Sequence, residues 1–120
     1  MQSEADALAQ RLLNYAAEII RVITKARKAI VAGYVYNQLI RAATSAGANY
    51  EEACGAESRA DFIHKMQLVL KELKESNYWL KLIIRAELIP GSEIEKLLEE
   101  AKELSRIFAK AVLTAKSNIK

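Results

Sequence analysis

Apolar residues recur at steps of three and four along four segments of the chain, which is the spacing of helices with one buried side. The first segment carries the apolar series Leu8, Leu12, Tyr15, Ile19, Val22 and Ala26. Four further apolar residues widen this series: Leu13, Ala16, Ile20 and Ile23. Because one neighbouring helix cannot cover so wide a stripe, we predict that the first helix has neighbours on two sides.

Two serines mark predicted helix starts. Ser3 stands three residues before Asp6, and Ser58 stands three residues before Asp61, as in helix N-terminal caps. Basic residues favour a helix C-terminus, so we place a break between the first two helices within residues 26–33. The second helix then follows and ends near residue 53.

Glycine, proline and serine mark the remaining boundaries. Gly55 is predicted to cap the second helix in the left-handed conformation. Pro90 disfavours helical backbone just before it, which ends the third helix near Glu87, and Ser92 is predicted to cap the fourth helix. Short connections make neighbouring helices antiparallel. We therefore predict an all-α fold, an up-down-up-down antiparallel four-helix bundle in which residues 1–120 form a single domain.

The middle of the second helix is rich in small residues. Ala43 and Gly47 form a small-x-x-x-small pair, which predicts a close approach of two helix backbones. Gly47 lowers helix propensity by about 1 kcal/mol relative to alanine, so the pair implies a gain in packing. Small residues continue around the helix at Ala42, Ser45 and Ala48, which predicts a second close neighbour across a subunit interface. The alternative is an alanine-rich helix selected for helix propensity alone.

Polar residues predict a network between the second and third helices. Asn49 lies near the buried side of the second helix, where its amide needs hydrogen-bond partners. Glu52 follows about one turn later, and Glu72 and Glu75 on the third helix can face it. We predict that these four side chains fix which helices pair and in what register. Alternatively, Glu72 and Glu75 are solvent-facing charges balanced by neighbouring lysines.

Basic residues are unevenly distributed. The 120-residue chain has a net charge of +3, but residues 19–50 contain no acid and carry +5, and residues 104–120 contain no acid and carry +4. Such zones attract polyanions, and the predicted nucleic-acid contacts are Arg21, Lys25, Arg27, Lys28, Arg41, Arg106, Lys110 and Lys116. The rings of Tyr34, Tyr36 and Trp79 can stack on bases or belong to the core. Alternatively, the charges only maintain solubility and complement helix ends.

The sequence predicts no catalytic, metal or cofactor site. His64 is the only histidine; Asp61 lies three residues before it, but a carboxylate-bridged metal bundle needs a second such pair. Cys54 is the only cysteine, and nothing marks an oxyanion hole beside it. The longest uncharged apolar run, residues 29–40, is shorter than the roughly 20 residues of a membrane span. We therefore expect a cytoplasmic, non-enzymatic protein that does not contact the membrane.

Two long blocks resemble a known family. They are "QLIRAATSAGANYEEA" at residues 38–53 and "SRADFIHKMQLVLKELKESNYWLKLI" at residues 58–83. Both are similar to the four-helix-bundle proteins encoded in 23S rRNA intervening sequences. The first block matches the family at Gln38, Leu39, Arg41, Ala43, Thr44, Ser45, Gly47, Ala48, Asn49, Glu52 and Ala53. Ala46 and the pair Tyr50-Glu51 depart from the residues usual in the family, which concerns only local packing.

The resemblance implies a homo-oligomer, a ring of five bundles, with a role in nucleic-acid binding. It also extends to the pentameric accessory proteins of diversity-generating retroelements, which assist a reverse transcriptase, so a nucleic-acid-processing protein is a further expected partner. We therefore expect a homo-oligomeric bundle that binds RNA or DNA, or a nucleoprotein, through its basic zones. Arg41 is the one residue expected to belong both to this surface and to the assembly. The alternative is a structural scaffold with no nucleic-acid role.

Overall fold

The computed structural model describes residues 3–26 and 30–118, which form four helices joined by short connections. The helices are α1 Glu4–Lys25, α2 Ile30–Cys54, α3 Arg59–Arg85 and α4 Ser92–Ser117. Each helix packs against the next one in the chain, and α1 also contacts α4, which closes the bundle. No strand occurs among the described residues, and the prediction of an all-α four-helix bundle is confirmed. None of these helices has an apolar stretch long enough to cross a membrane.

Both serines cap helices as predicted. The Ser3 hydroxyl accepts a hydrogen bond from the Asp6 backbone N–H at 3.0 Å, and the Ser58 hydroxyl accepts one from the Asp61 backbone N–H at 3.0 Å. Each bond satisfies a donor that has no partner within its own helix. The starts of α1 and α3 are therefore fixed by local sequence.

The predictions for Gly55 and Ser92 are wrong. Gly55 does not adopt a positive φ; its N–H donates to the Glu52 carbonyl at 3.2 Å, which tightens the last turn of α2. Ser92 is the first residue of α4, and the capping position belongs to Gly91, which has φ 101° and no side chain to donate or accept. Gly91 reaches this backbone conformation because it lacks a Cβ atom. The start of α4 is therefore set by the turn at Gly91 and not by a side-chain hydrogen bond.

The third helix ends in a left-handed turn that the sequence does not signal. Glu87 has φ 57°, its N–H donates to the Ile84 carbonyl at 3.1 Å, and the Leu88 N–H donates to the Ile83 carbonyl at 3.0 Å. These two bonds form the Schellman arrangement, in which glycine is the usual residue at the left-handed position. The helix therefore stops at Arg85, two residues before the predicted end.

The core lies between the apolar sides of the four helices. The predicted α1 stripe is buried from Leu12 to Val22, whereas Leu13 and Ile20, which widen the stripe, are 60% and 43% exposed. Part of the apolar surface of α1 is therefore uncovered in the single chain.

One polar contact crosses the core. The Tyr15 hydroxyl on α1 lies 2.7 Å from the Ser76 hydroxyl on α3, and both residues are buried. Ser76 in turn donates to the Leu73 carbonyl at 3.1 Å, so neither hydroxyl lacks a partner. Burial raises the pKa of the Tyr15 phenol, and the hydrogen bond to Ser76 opposes part of that shift. Ser76, a buried polar residue of α3, is thus a specific link to α1.

Candidate nucleic-acid interface and polar network

The second half of α4 presents cations to solvent. Arg106, Lys110 and Lys116, which we name the α4 basic segment, are exposed, whereas the apolar stripe of α4, which includes Leu104, Phe108 and Val112, faces the core. Among the described residues, no carboxylate oxygen lies within 4.0 Å of these three cations. The segment also contains no acid of its own. It is therefore a cationic surface without an ion pair among the residues that the structure describes.

The predicted contacts on α1 are arranged differently. Arg21 forms an ion pair with Glu18 one turn earlier on the same helix. Lys25 is exposed in the last turn of α1 and lines a groove with Glu93 of α4. Arg27 and Lys28 lie outside the described residues. Among the described residues of α1, Arg21 therefore offers less uncompensated positive charge than the count of basic residues predicts.

The two basic zones lie far apart. Lys25 shares its groove with Glu93 near the start of α4. Lys116 lies 23 residues after Glu93 on the same helix, which is about 35 Å at 1.5 Å per residue. The longest dimension of the molecule is 50 Å. Within one subunit, Lys25 and Lys116 therefore lie at opposite ends of the bundle, and Arg106 lies between them on α4.

Arg41 is held between α2 and α3 by two carboxylates. Its guanidinium lies 3.3 Å from Glu72 and also pairs with Glu75. The Ser45 hydroxyl donates to Glu72 at 3.0 Å, and the Asn49 amide donates to the Ser45 carbonyl at 2.9 Å and to its hydroxyl at 3.1 Å. We name these five residues the α2–α3 network. In this network, the positive charge of Arg41 is neutralised by carboxylates of the same subunit.

The network includes three of the four residues predicted for it. Glu52 lies apart and accepts a hydrogen bond from Lys65 at 2.7 Å, which raises the pKa of that lysine. The Glu72 side chain is only 12% exposed, so it is not the solvent-facing charge of the alternative prediction. Sequence reasoning missed Ser45 as a member, although it lies four residues from both Arg41 and Asn49 and so on their side of α2.

The small pair on α2 occupies two different environments. Ala43 is fully buried in the core. Gly47 faces α1, and a Cβ atom placed there would lie 3.8 Å from the Leu12 Cβ, which is an ordinary contact distance. The packing of α1 on α2 within one subunit therefore does not require glycine at position 47.

An ion pair that the sequence did not signal joins α1 to α4. The Arg11 guanidinium donates to Glu100 through Nε at 2.8 Å and lies 3.1 Å from Glu103. The hydrogen bond to Glu100 is the main cause that raises the pKa of Arg11. Because the two helices have few other contacts, this forked pair helps to set their register.

Three aromatic rings form a patch across α2 and α3. Trp79 stands nearly perpendicular to Tyr34 and Tyr78, with ring centroids 6.1 and 5.1 Å away. Tyr34 and Tyr78 are 62% and 57% exposed, and the Trp79 indole N–H donates to Glu75 at 3.1 Å. We name these three rings the aromatic patch. Tyr36, the other predicted stacking residue, is buried and faces no solvent.

The residues considered for catalysis are not gathered into a site. Cys54 and His64 are both exposed, on different helices. Across residues 3–26 and 30–118, no three side chains of His, Cys, Asp or Glu are grouped in a way that could hold a metal ion.

Comparison with known proteins identifies the family. The model of the 23S rRNA-intervening sequence protein family matches residues 6–110. A solved structure of a protein of unknown function from Bacteroides thetaiotaomicron, described as a member of the S23 ribosomal protein family, is 30% identical. It matches over 92% of this chain and 98% of its own, with a TM-score of 0.79. No curated protein matches this chain. The chain belongs to the family of 23S rRNA-intervening sequence proteins.

Proposed function

We propose that this protein is a non-enzymatic homo-oligomer of five copies that binds nucleic acid, RNA above all, through the α4 basic segment. The observation that carries the proposal is that Arg106, Lys110 and Lys116 are exposed on an acid-free half-helix and have no carboxylate near them among the described residues. The family is named for the 23S rRNA intervening sequences, so a structured RNA is the first nucleic acid to test.

The chemistry of the α4 basic segment suits phosphate rather than base recognition. Lysine and arginine neutralise phosphates and release counterions, which gives sequence-independent binding that weakens as salt is added. The three cations of this segment are suited to phosphate oxygens, and the segment offers no asparagine or glutamine side chain for bidentate contacts to adenine. Specificity then depends on the shape of the nucleic acid and on the spacing of the copies.

Assembly multiplies a weak contact. One subunit supplies three cations, which is few for tight binding, whereas five subunits repeat the same segment around one particle. A nucleic acid bound at one segment meets the others at high effective concentration, so affinity rises without any new contact. A protein that processes nucleic acid is the further partner that we propose. Cys54, an exposed free thiol, suits the reducing cytoplasm, where we place this function.

Paired charge variants test the proposal. The variant Arg106→Gln/Lys110→Gln removes two cations of the α4 basic segment, and Lys71→Gln/Lys74→Gln removes two exposed cations of α3. In gel-shift assays at low salt with a structured RNA and with duplex DNA, we expect the α4 variant to bind at least tenfold more weakly. The α3 variant should bind like the wild type. A wild type that binds neither ligand, or equal losses in both variants, contradicts the proposal.

A second candidate is a scaffold with no nucleic-acid role. It is favoured by the ion pairs of Arg11, Arg21 and Arg41, since each of these arginines is neutralised by carboxylates of its own subunit. The same gel-shift assay separates the two functions, because a scaffold shifts neither RNA nor DNA while it still assembles.

A further inference from the structure

The α1–α2 side of the bundle carries an apolar groove. The groove has a volume of about 230 Å³ and is lined by small and apolar residues, with Glu51 as its only charged lining residue. Leu13 stands at the edge of the groove and is 60% exposed, and Ile20, two turns further along α1, is 43% exposed. An exposed apolar surface of this kind is unusual in a chain with 28% charged residues.

The α2–α3 side carries the aromatic patch, and the polar groups next to it are already satisfied. Tyr34 and Tyr78 project into solvent, and Val31, one turn before Tyr34, is 79% exposed. The Arg41 guanidinium is paired with Glu72 and Glu75, and Glu75 also accepts the indole N–H of Trp79. This side can therefore be covered without leaving an unpaired buried cation or indole donor.

We infer that the aromatic patch of one copy packs into the α1–α2 groove of a second copy. The inference rests on the homo-oligomer of the proposed function and names the surfaces that build it. The two apolar surfaces are different and lie on different sides of one subunit, which fits a heterologous contact, the kind that closes into rings. A nucleic acid does not fit the groove, because the groove offers no cation and includes a carboxylate.

The shape and size of the two surfaces agree with a second copy of the chain as the occupant of the groove. Exposed aromatic rings are enriched in interfaces because each buries a large area at a small entropic cost. Gly47 and its small neighbours leave room in the groove, and no contact within the subunit uses that room. With α1 at 22 residues, the whole α1–α2 side projects about 33 by 20 Å, so it has room for an interface of the standard ~800 Å² per partner, with the groove as its apolar centre.

Two surface variants and their mixture test the contact. Leu13→Glu places a charge at the groove and Tyr34→Glu places one in the aromatic patch, while Leu113→Glu changes an equally exposed residue of α4 that lies on neither surface. Circular dichroism establishes that each is folded, and light scattering gives its mass. Ala17→Glu, at an exposed position of α1 one turn after Leu13, serves as a second variant on the same side of α1 and should also be a monomer.

We expect Leu13→Glu and Tyr34→Glu each to be a monomer of 13.4 kDa, while Leu113→Glu keeps the mass of the wild type. Mixed together, the two interface variants should form a one-to-one dimer, because each retains the surface that the other has lost. This inference alone is overturned if the wild type is an oligomer and neither variant lowers its mass. It is also overturned if the mixture of the two variants contains no dimer. A monomeric wild type overturns the proposed assembly as well, and nucleic-acid binding is measured separately.

Discussion

At the scale of single residues, Glu87 stands out as an L-residue in a conformation suited to glycine. With φ at 57°, Glu87 turns the chain so that two backbone N–H groups donate to carbonyls at the end of α3. The left-handed conformation costs an L-residue about 1–2 kcal/mol. Local sequence gave no sign of this turn because glutamate has no preference for it. The two serine caps were predictable, since their hydrogen bonds involve only residues within the same turn.

Glu87→Gly should stabilise the fold. Glycine removes the steric cost of the left-handed turn but gains entropy in the unfolded chain, so we expect a net increase of about 0.5–1 kcal/mol in the free energy of unfolding. Urea denaturation measures it. Ala86→Gly is the matched control, because Ala86 has φ −86° and gains nothing from glycine. Equal destabilisation of both variants would show that strain at Glu87 does not lower the free energy of unfolding.

At the scale of helices, the apolar spacing predicted the elements, and the contacts between them were only partly predictable. The four helices and their buried sides follow from local periodicity. The partners of Glu72 depend on how α2 and α3 are rotated against each other, which no local pattern encodes. Sequence reasoning grouped Asn49 with Glu72 and Glu75, and the structure links them through Ser45 and Arg41, whereas Glu52 pairs with Lys65 instead.

Arg41→Ala should weaken the α2–α3 pairing. It leaves the largely buried Glu72 carboxylate with Ser45 as its remaining donor among the described residues, and we expect a loss of about 1–2 kcal/mol of unfolding free energy. Arg21→Ala, which breaks the exposed pair with Glu18, should cost less than about 0.5 kcal/mol. Thermal or urea unfolding of both variants measures the difference. Equal small losses would show that the network does not stabilise the helix pair.

The Tyr15–Ser76 link predicts a loss of stability in alkali. Burial raises the folded-state pKa of Tyr15, so both states keep the proton below pH about 10 and the contribution is complete there. As pH rises above that value, the unfolded chain ionises first, and stability falls by up to about 1.4 kcal/mol per pH unit until the folded pKa is reached.

Tyr15→Phe isolates this effect. At neutral pH it should cost about 1 kcal/mol, the value of the hydrogen bond to Ser76, while Ser76 keeps its bond to the Leu73 carbonyl. In alkali the variant should lose stability less steeply than the wild type. Tyr78→Phe, at an exposed ring, is the control. Urea denaturation over a pH series measures the slopes, and parallel curves for wild type and Tyr15→Phe contradict the prediction.

At the scale of the whole molecule, charge placement distinguishes the two basic zones. The count of basic residues favoured residues 19–50 as the surface that binds nucleic acid. In the structure, however, Arg21 and Arg41 are paired with carboxylates that lie on α1 and α3. The pairs of Arg41 cross from α2 to α3 and depend on the fold, so the sequence could not signal them, whereas the spacing of Glu18 and Arg21 on one helix could have signalled theirs. The separation moves the candidate nucleic-acid interface to α4, and the α1–α2 groove and the aromatic patch on α2 and α3 become the candidate contacts between copies.

The salt dependence of RNA affinity tests the central claim most directly. The logarithm of the binding constant should fall linearly with the logarithm of salt concentration, with a slope of about −0.9 for each neutralised phosphate of a duplex. Fluorescence anisotropy with a labelled structured RNA gives this slope for the wild type and for Arg106→Gln/Lys110→Gln. We predict a steep slope for the wild type and a clearly shallower one for the variant. Binding that does not depend on salt, or identical slopes, would contradict an interface on α4.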